Sequence, residues 1–216
     1  MDPSGTRLDK VYGYLTFNEV SFHYADQQNG KALDHVTFSI EPGQIVAIVG
    51  PTYSGKTTAI DLVERFFDVT DGDILLDQIR TRLLNIGWMR KQLGYVTDPP
   101  FLYGYSVAEN IAYGDNDREV GLQEIMAAAR TANVHEYITA LPQGYDTRIT
   151  YDSEVIRRAE LKRIALARAL VRNPKILLID DAMTGLDAVH ELASRAAIKE
   201  ASRGRTCVVA TSRLYS

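Results

Sequence analysis

The 216-residue chain has little of what marks secreted or membrane-spanning proteins. A single cysteine, Cys207, excludes an internal disulfide and suits a reducing compartment. The longest apolar runs, such as residues 45–49 and 176–179, are far too short to cross a bilayer. No basic-then-apolar signal pattern follows Met1. These absences predict a soluble intracellular domain.

The chain also has little excess of either charge. The chain has 24 basic and 28 acidic residues, a net charge of −4, which disfavours nucleic acid as a partner. With 45% hydrophobic and 24% charged residues the composition is that of a globular protein and excludes wholesale disorder. The length predicts one domain, or one domain with a subdomain.

Period-two patterns dominate the start of the chain after a polar tail or linker at residues 1–10. Apolar residues alternate from Leu15, and the phase slips at Asn18-Glu19, which predicts a bulged strand. Alternation returns from Val36 to Ile40. The first forty residues are therefore expected to form antiparallel strands.

Continuous apolar runs follow. Residues 45–49 predict a strand buried on both faces, and residues 94–97, 176–179 and 207–210 resemble it, with helical sequence between them. Strands that alternate with helices predict a parallel sheet in an α/β domain. The stretch from about residue 106 to 172 reads as mostly helical, broken at residues 141–144, and predicts an inserted helical subdomain.

The strongest motif is a phosphate-binding loop that matches G-x-x-x-x-G-K-[ST], directly after the first buried strand and before a helical pattern. Its glycines let backbone N–H groups surround a phosphate at a helix start. Lys56 would reach the β- and γ-phosphates, and the Thr57 hydroxyl would bind Mg²⁺. A glycine-rich turn into a helix is the structural alternative. The motif and the residue after it read Gly50, Pro51, Thr52, Tyr53, Ser54, Gly55, Lys56, Thr57 and Thr58.

Two acids follow a later buried strand. Asp180 ends the apolar run at residues 176–179, where doubly wound sheets place ligands, and is the candidate metal residue. Asp181 comes next, where many ATPases have a water-activating carboxylate. Capping of the next helix is the alternative for both residues.

From about residue 11 to 216 the chain resembles the nucleotide-binding domain of an ATP-binding cassette exporter, of the multidrug-resistance and peptide-transporter branch. Besides the phosphate loop, the resemblance rests on residues 108–111, 144–147, 163–170 and 176–187. It implies a P-loop NTPase (RecA-like) core with a parallel sheet, an N-terminal antiparallel β subdomain and an inserted helical subdomain. The implied boundaries are residues 11–90 for the β subdomain and P-loop core, about 98–172 for the helical subdomain and 173–216 for the remaining core.

The resemblance also implies ligands and partners. ATP and Mg²⁺ would bind between the phosphate loop of one domain and the signature motif of a second, identical or different domain paired head to tail. Transmembrane domains of an exporter would join them at the cytoplasmic face of a membrane. Tyr24 matches the aromatic residue that stacks on adenine, with an ordinary strand aromatic as the alternative. Asp187 matches the residue that communicates across the dimer, with a helix N-cap as the alternative.

Three candidate catalytic positions depart from the family pattern. Asp98 stands where the family has a Gln that contacts Mg²⁺ and the membrane domain. Asp181 replaces the catalytic Glu, which withdraws the carboxylate by about 1.5 Å, one C–C bond. Ser212 replaces the switch His and loses the reach of the imidazole. The expected outcome is slow hydrolysis.

The signature segment departs most. Where the family has Leu-Ser-Gly-Gly-Gln, this chain has Ile156, Arg157, Arg158, Ala159 and Glu160. The arginines restore positive charge but remove the close approach to a γ-phosphate, and Glu160 adds repulsion. A solvated helix face is the alternative. The preceding residues 150–153 also lack the family's Gly-Glu-Arg-Gly.

Two functions stay open. The chain is the ATP-binding half of an exporter with weak hydrolysis at its own site, or a pseudo-ATPase that acts as a nucleotide-gated binding module. A P-loop kinase explains the phosphate loop but not residues 163–170 or 180–187. Because the chain stops four residues past Ser212, its C-terminus is expected to be trimmed.

Overall fold

The computed structural model describes residues 4–25, 30–149, 156–181 and 186–212. The chain divides into two units. The first comprises Met1–Leu93, Lys175–Asp180 and Gly204–Ser216, and the second comprises Gly94–Pro174 and Asp181–Arg203. The second unit therefore takes in a later segment, 181–203, besides a stretch close to the helical subdomain expected at 98–172.

An antiparallel sheet lies in the first unit, in the order β2-β1-β4-β5. The pairing of β1 with β2 shifts register between Phe17 and Val20, and Glu19 has φ 49°. The predicted alternation and bulge are thus confirmed: Leu15, Phe17, Val20 and Phe22 are all buried. The strands are β1 (Leu15–Phe22), β2 (Leu33–Ile40), β4 (Asp71–Leu76) and β5 (Ile79–Arg80).

The second sheet has the order β3-β8-β7-β6. Strand β8 runs parallel to both β3 and β7, so the predicted parallel sheet is confirmed. The central strands β7 and β8 are almost fully buried, which explains their continuous apolar sequence. The strands are β3 (Ile45–Val49), β6 (Leu93–Val96), β7 (Ile176–Asp180) and β8 (Thr206–Thr211).

Strand β3 corrects one expectation. Its sequence predicts burial on both faces, but Ile45 is 55% exposed and Val49 42% exposed. The reason is position: β3 is the edge strand of the described sheet, and helix α1 (Lys56–Val63) packs on β7 and β8. An apolar run indicates a strand but not its place in the sheet.

Polar side chains join the elements of the first unit. The Thr206 hydroxyl donates to the Gly13 carbonyl at 2.7 Å and accepts from the Gly43 N–H at 3.1 Å. Residues 4–10, expected as a tail or linker, include Thr6, whose N–H donates to the Leu83 carbonyl at 2.8 Å. Leu83 ends a short 3₁₀ turn, Thr81–Leu83, ahead of helix α2 (Ile86–Lys91).

The second unit is mostly helical, as predicted for residues 106–172, but in short pieces separated by turns. Ser106 and Glu109 form a capping box at the start of α3, which explains where that helix begins. Helix α6 packs against α3, α4 and α7. None of the helices in the described ranges is long and apolar enough to cross a membrane. The helices are α3 (Val107–Ala112), α4 (Leu122–Thr131), α5 (His135–Thr139), α6 (Arg158–Leu170) and α7 (Ala188–Ala201).

A buried carboxyl group at the end of α1 makes stability depend on pH. Burial raises the pKa of Glu64 to about 7, Arg90 opposes this shift, and Asp61 adds to it. The folded chain therefore holds a proton that the unfolded chain releases near its ordinary pKa of 4.5. The contribution of protonated Glu64 to the free energy of unfolding is fully present below about pH 4.5 and is lost as the pH rises through about 7.

We expect Glu64→Gln to raise the free energy of unfolding at pH 8 by on the order of 3 kcal/mol, because Gln cannot ionise. At pH 4.5 the gain should nearly vanish. Denaturant unfolding of both proteins at the two pH values measures this difference. The matched variant Glu41→Gln changes an exposed glutamate of the same unit and should have little effect at either pH. An equal gain from Glu64→Gln at both values would contradict the argument.

Candidate functional site

The loop between β3 and α1 folds around the Lys56 ammonium group. Lys56 Nζ donates to the Gly50 carbonyl at 2.9 Å and to the Pro51 carbonyl at 2.7 Å. The Ser54 N–H donates to the Pro51 carbonyl at 3.2 Å. Lys56 is buried, while Thr52, Tyr53 and the other residues of the loop rim are exposed. The loop thus presents backbone to solvent around one enclosed cation.

Helix α1 begins without a capping side chain and without an acidic residue in its first turn. Each of the other described α-helices has a capping side chain, an acidic residue in its first turn, or both, so α1 is the only described α-helix that lacks both. The first N–H groups of a helix have no partner within the helix and carry its positive dipole end. The start of α1 is therefore suited to bind an anion supplied from outside the chain.

Gly55 is the residue at which the chain turns into helix α1, and its position requires a glycine. Its backbone is left-handed, with φ 86°, and a Cβ atom added there would overlap the Ala32 carbonyl oxygen. Any other residue would meet both the backbone strain and the clash. The following hydroxyl, on Thr57, lies in the first turn and is exposed.

The carboxyl ends of three parallel strands meet beside this loop. Val49 pairs with Thr211, and Asp180 pairs with Ala210. The Gly50 N–H donates to the Thr211 carbonyl at 3.4 Å. Neighbouring strands lie about 4.8 Å apart, so Asp180 and Gly50 are separated by about two strand spacings, and Ser212 follows the strand between them.

The donor set at this edge fits Mg²⁺. Asp180 supplies a carboxylate and Thr57 a hydroxyl oxygen, and Mg²⁺ binds through few protein oxygens together with water and substrate phosphates. In the described part of the chain, no group of three or more His, Cys, Asp or Glu residues could hold a metal by itself. Thr57 and Asp180 would hold the ion only together with phosphate oxygens.

Tyr24 lies against the phosphate-loop helix. Its hydroxyl is 3.0 Å from the hydroxyl of Thr58, which is buried in α1. The Tyr24 ring makes edge contacts with Phe22 and Phe67, at centroid distances of 4.9 and 5.4 Å. These contacts hold the ring in a half-buried position, which suits an aromatic platform beside the loop.

Asp98, in the second unit, is paired with helix α6. Its Oδ1 lies 2.9 Å from Lys162 Nζ and 3.7 Å from a guanidinium nitrogen of Arg158. Oδ1 of Asp98 therefore lies beside cations of its own unit, which the expected role as a metal contact did not include.

The signature segment is largely internal, so the alternative of a solvated helix face is wrong for most of it. Ile156, Ala159 and Glu160 are buried, whereas Arg157 and Arg158 are exposed. The expected repulsion from Glu160 is also offset. Its carboxylate accepts a hydrogen bond from the Arg163 guanidinium at 2.9 Å, and His190 Nε2 lies 3.8 Å away.

Asp187 caps helix α7, which is the structural alternative given for it. Its carboxylate accepts from the N–H groups of Val189 and His190 at 3.0 Å and contacts His190 Nδ1 at 2.7 Å. Hydrogen bonds from the backbone and then the side chain of His190 lower the pKa of Asp187. The expected role of Asp187 at a dimer interface stays a prediction.

Asp181 has a left-handed backbone, with φ 47°, directly after β7. Its Oδ1 is shielded from solvent and has no hydrogen-bond partner among the residues that the structure describes. Several motif residues lie outside the described residues: Thr150, Tyr151, Asp152, Ser153, Thr184, Gly185, Arg213 and Leu214.

Residues 33–184 match the family model for ABC transporters. The chain belongs to the ABC transporter family. It is 42% identical over 211 residues to ATP-binding cassette sub-family B member 5 of Mus musculus, covering 98% of this chain and 17% of the relative. It is also 42% identical over 205 residues to multidrug resistance protein pgp-1 of Caenorhabditis elegans, covering 95% and 16%.

A solved structure agrees with these relatives. The structure of a bacterial Atm1-family ABC exporter with ATP bound matches 98% of this chain and 36% of the other chain, with a TM-score of 0.87 and 33% identity. The expected resemblance and fold class are thus confirmed: the chain is an ATP-binding domain of ABC exporter type, from a family of ATPases. It spans about a sixth of the length of these curated relatives.

Sequence reasoning missed two residues of the ABC domain that lie beside acids at the altered positions: Lys162 beside Asp98, and His190 beside Glu160. A signal for Lys162 was present. It stands three residues after Ala159 and four before Leu166, on the apolar face of α6, and a lysine on such a face needs a counter-ion. Nothing comparable in the sequence marked His190.

We expect Gly55→Ala to destabilise this ABC domain more than Gly43→Ala does. Both glycines have a left-handed backbone, which costs a non-glycine residue about 1–2 kcal/mol, but only at Gly55 does a Cβ atom meet backbone. The clash should add at least about 1 kcal/mol. Denaturant unfolding of the two variants measures the difference. Equal losses would show that the contact with Ala32 imposes no constraint.

Proposed function

We propose that this chain binds Mg-ATP and, through pairing with a second nucleotide-binding domain, drives or gates transport through the membrane domains of an exporter. The observation that carries the proposal is the start of α1. This helix start has no capping side chain and no acidic residue in its first turn, and it follows Gly55, whose left-handed backbone leaves no room for a Cβ atom. A phosphate group supplies what this helix start lacks.

The residues of the loop would divide the work of binding. The N–H groups of Gly55, Lys56, Thr57 and Thr58 at the start of α1 would surround the β-phosphate, with Pro51, Thr52, Tyr53 and Ser54 forming the exposed rim. Lys56 would exchange its two carbonyl partners for phosphate oxygens, which form stronger, charge-assisted hydrogen bonds. Tyr24 would stack on the adenine. When bound, Mg²⁺ would neutralise phosphate charge, held by Thr57 and Asp180.

Hydrolysis at this site would be slow. The Asp181 carboxylate is about 1.5 Å shorter in reach than the family's Glu, and misplacement of a catalytic group by about 1 Å can cost on the order of 10²-fold. Ser212 follows β8 at the correct edge of the sheet, but its hydroxyl lacks the reach of the family's His. Both groups remain polar, so the rate would be low but not zero.

The proposed partner is a second nucleotide-binding domain, identical or different, arranged head to tail. In that arrangement residues 156–160 would face the partner's nucleotide, and the exposed Arg157 and Arg158 would be the residues that reach it. Asp187 would lie near the interface. The exporter's transmembrane domains would place the assembly at the cytoplasmic face of a membrane. The net charge of −4 continues to disfavour a nucleic-acid partner.

A pseudo-ATPase is the second candidate function. It shares the binding apparatus and differs only in the absence of turnover, so Asp181 and Ser212 are the features that favour it. In that case nucleotide binding alone would gate the association with partner domains.

We expect Lys56→Met to weaken Mg-ATP binding by about 10- to 100-fold, because it removes hydrogen bonds from a charged donor. Isothermal titration calorimetry measures the affinity, and chelation of Mg²⁺ should weaken binding to the wild-type protein as well. Lys175→Met, which changes an exposed lysine of the same unit, is the matched control and should bind like wild type. Wild-type affinity in Lys56→Met would refute the phosphate site.

We expect the double variant Asp181→Glu, Ser212→His to raise steady-state ATP turnover at least tenfold, because it restores the carboxylate's reach and an imidazole donor. The assay is run alone and with a domain that carries an intact Leu-Ser-Gly-Gly-Gln segment. Asp181→Asn, Ser212→Ala should show no gain. A wild-type rate near that of an ordinary exporter domain would contradict weak hydrolysis. No gain with the competent partner would favour the pseudo-ATPase.

A further inference from the structure

We infer that Asp98 is the counter-ion of Lys162 and does not contact Mg²⁺. Asp98 is in this case a positioning residue, which holds the loop after β6 on helix α6. The inference rests on the proposed function only for the metal, since the ion pair is a property of the second unit by itself. It reassigns a position that sequence reasoning placed in the catalytic machinery.

The two charges are among the most enclosed in the unit. The Lys162 side chain is 2% exposed and the Asp98 side chain 9% exposed, with 2.9 Å between Nζ and Oδ1. Arg158 also approaches Asp98, at 3.7 Å, but its side chain is 60% exposed. Water screens an exposed pair and weakens it, so Lys162 is the partner that matters.

Burial decides which role the carboxylate can have. A buried charge is costly to leave uncompensated, and removal of one member of a buried ion pair is strongly destabilising. Through Oδ1, the atom that faces both cations, Asp98 could bind a metal only by withdrawing from an ammonium group that water hardly reaches. Metal binding through this atom would therefore carry the cost of breaking a buried ion pair.

Helix α6 holds the loop at a second point as well. The Arg168 guanidinium donates to the Phe101 carbonyl at 2.6 Å, and Lys162 and Arg168 are six residues apart, about 9 Å along the helix axis. Residues 98–101 thus run beside α6 between two cationic side chains. Within the loop, the Thr97 hydroxyl donates to the Pro99 carbonyl at 3.2 Å. The ion pair fixes the end of the loop nearer to β6.

A double-mutant cycle in the full 216-residue chain tests the pair. Asp98→Asn and Lys162→Met should each lower the Tm by roughly 6–20 °C, because each removes one member of a buried ion pair. The combined variant should regain most of that loss, since it buries neither charge. Lys162→Arg keeps the charge and should lose less than Lys162→Met. Arg158→Met, at the exposed cation, is the matched control and should change the Tm by no more than about 2 °C.

The inference would be overturned if the Tm of the combined variant were as low as that of the less stable single variant. It would also be overturned if the Tm losses of the two single variants simply added in the combined variant. If a single variant does not fold at all, recovery of folding in the double variant supports the pair, and failure of the double variant overturns it.

The Mg²⁺ dependence of nucleotide affinity tests the second half of the inference. Asp98→Asn should shift the Mg²⁺ concentration needed for half-maximal binding by no more than about twofold, whereas Asp180→Asn should raise it at least tenfold, which is about 1.4 kcal/mol. An equal rise in both variants would overturn the reassignment. If wild type binds no nucleotide, the proposed function fails, while the Tm cycle still decides the ion pair.

Discussion

The in-register parallel pairing of β3, β8 and β7 is the constraint on which the proposed nucleotide site depends. Because parallel strands present their carboxyl ends at one edge, the pairing of Val49 with Thr211 and of Asp180 with Ala210 brings loop, switch segment and acid together. The left-handed backbone at Gly55 then turns the chain from β3 into α1 and leaves the helix start uncapped. The proposed phosphate site therefore rests on backbone geometry together with the Lys56 side chain.

Charge neutralisation within the second unit changes the meaning of the altered motifs. Asp98 and Glu160 add negative charge where the family has neutral residues, yet each lies beside a cation of its own unit, Lys162 or Arg163. The substitutions are therefore not isolated losses in an otherwise unchanged site. Each belongs to an ion pair with a side chain of α6, and reversal of one of them alone should destabilise the unit before it improves catalysis.

Local patterns predicted the elements well. Alternation and a phase slip located β1 and its bulge, and the glycine–lysine spacing located the loop, because these signals act over a few neighbouring residues. The exposure of β3 could not be predicted in this way, since an edge strand and a central strand have the same apolar sequence. The partners of Asp98 were also hidden: Lys162 is 64 residues away in the chain, and only packing brings them together.

The sequence by itself determined the chemistry available to this ABC domain: a phosphate loop, two acids after a buried strand, and altered residues at the catalytic and signature positions. Those features depend on residue type and short spacing. Only the tertiary structure decided which charges meet, which signature residues are buried and which carboxylate lies beside a buried ammonium group, because the burial and pairing of a charge depend on groups that are distant in sequence. For Asp98, the sequence alone predicted a metal ligand, whereas the ion pair with Lys162 in the tertiary structure led to the proposal that it is a counter-ion.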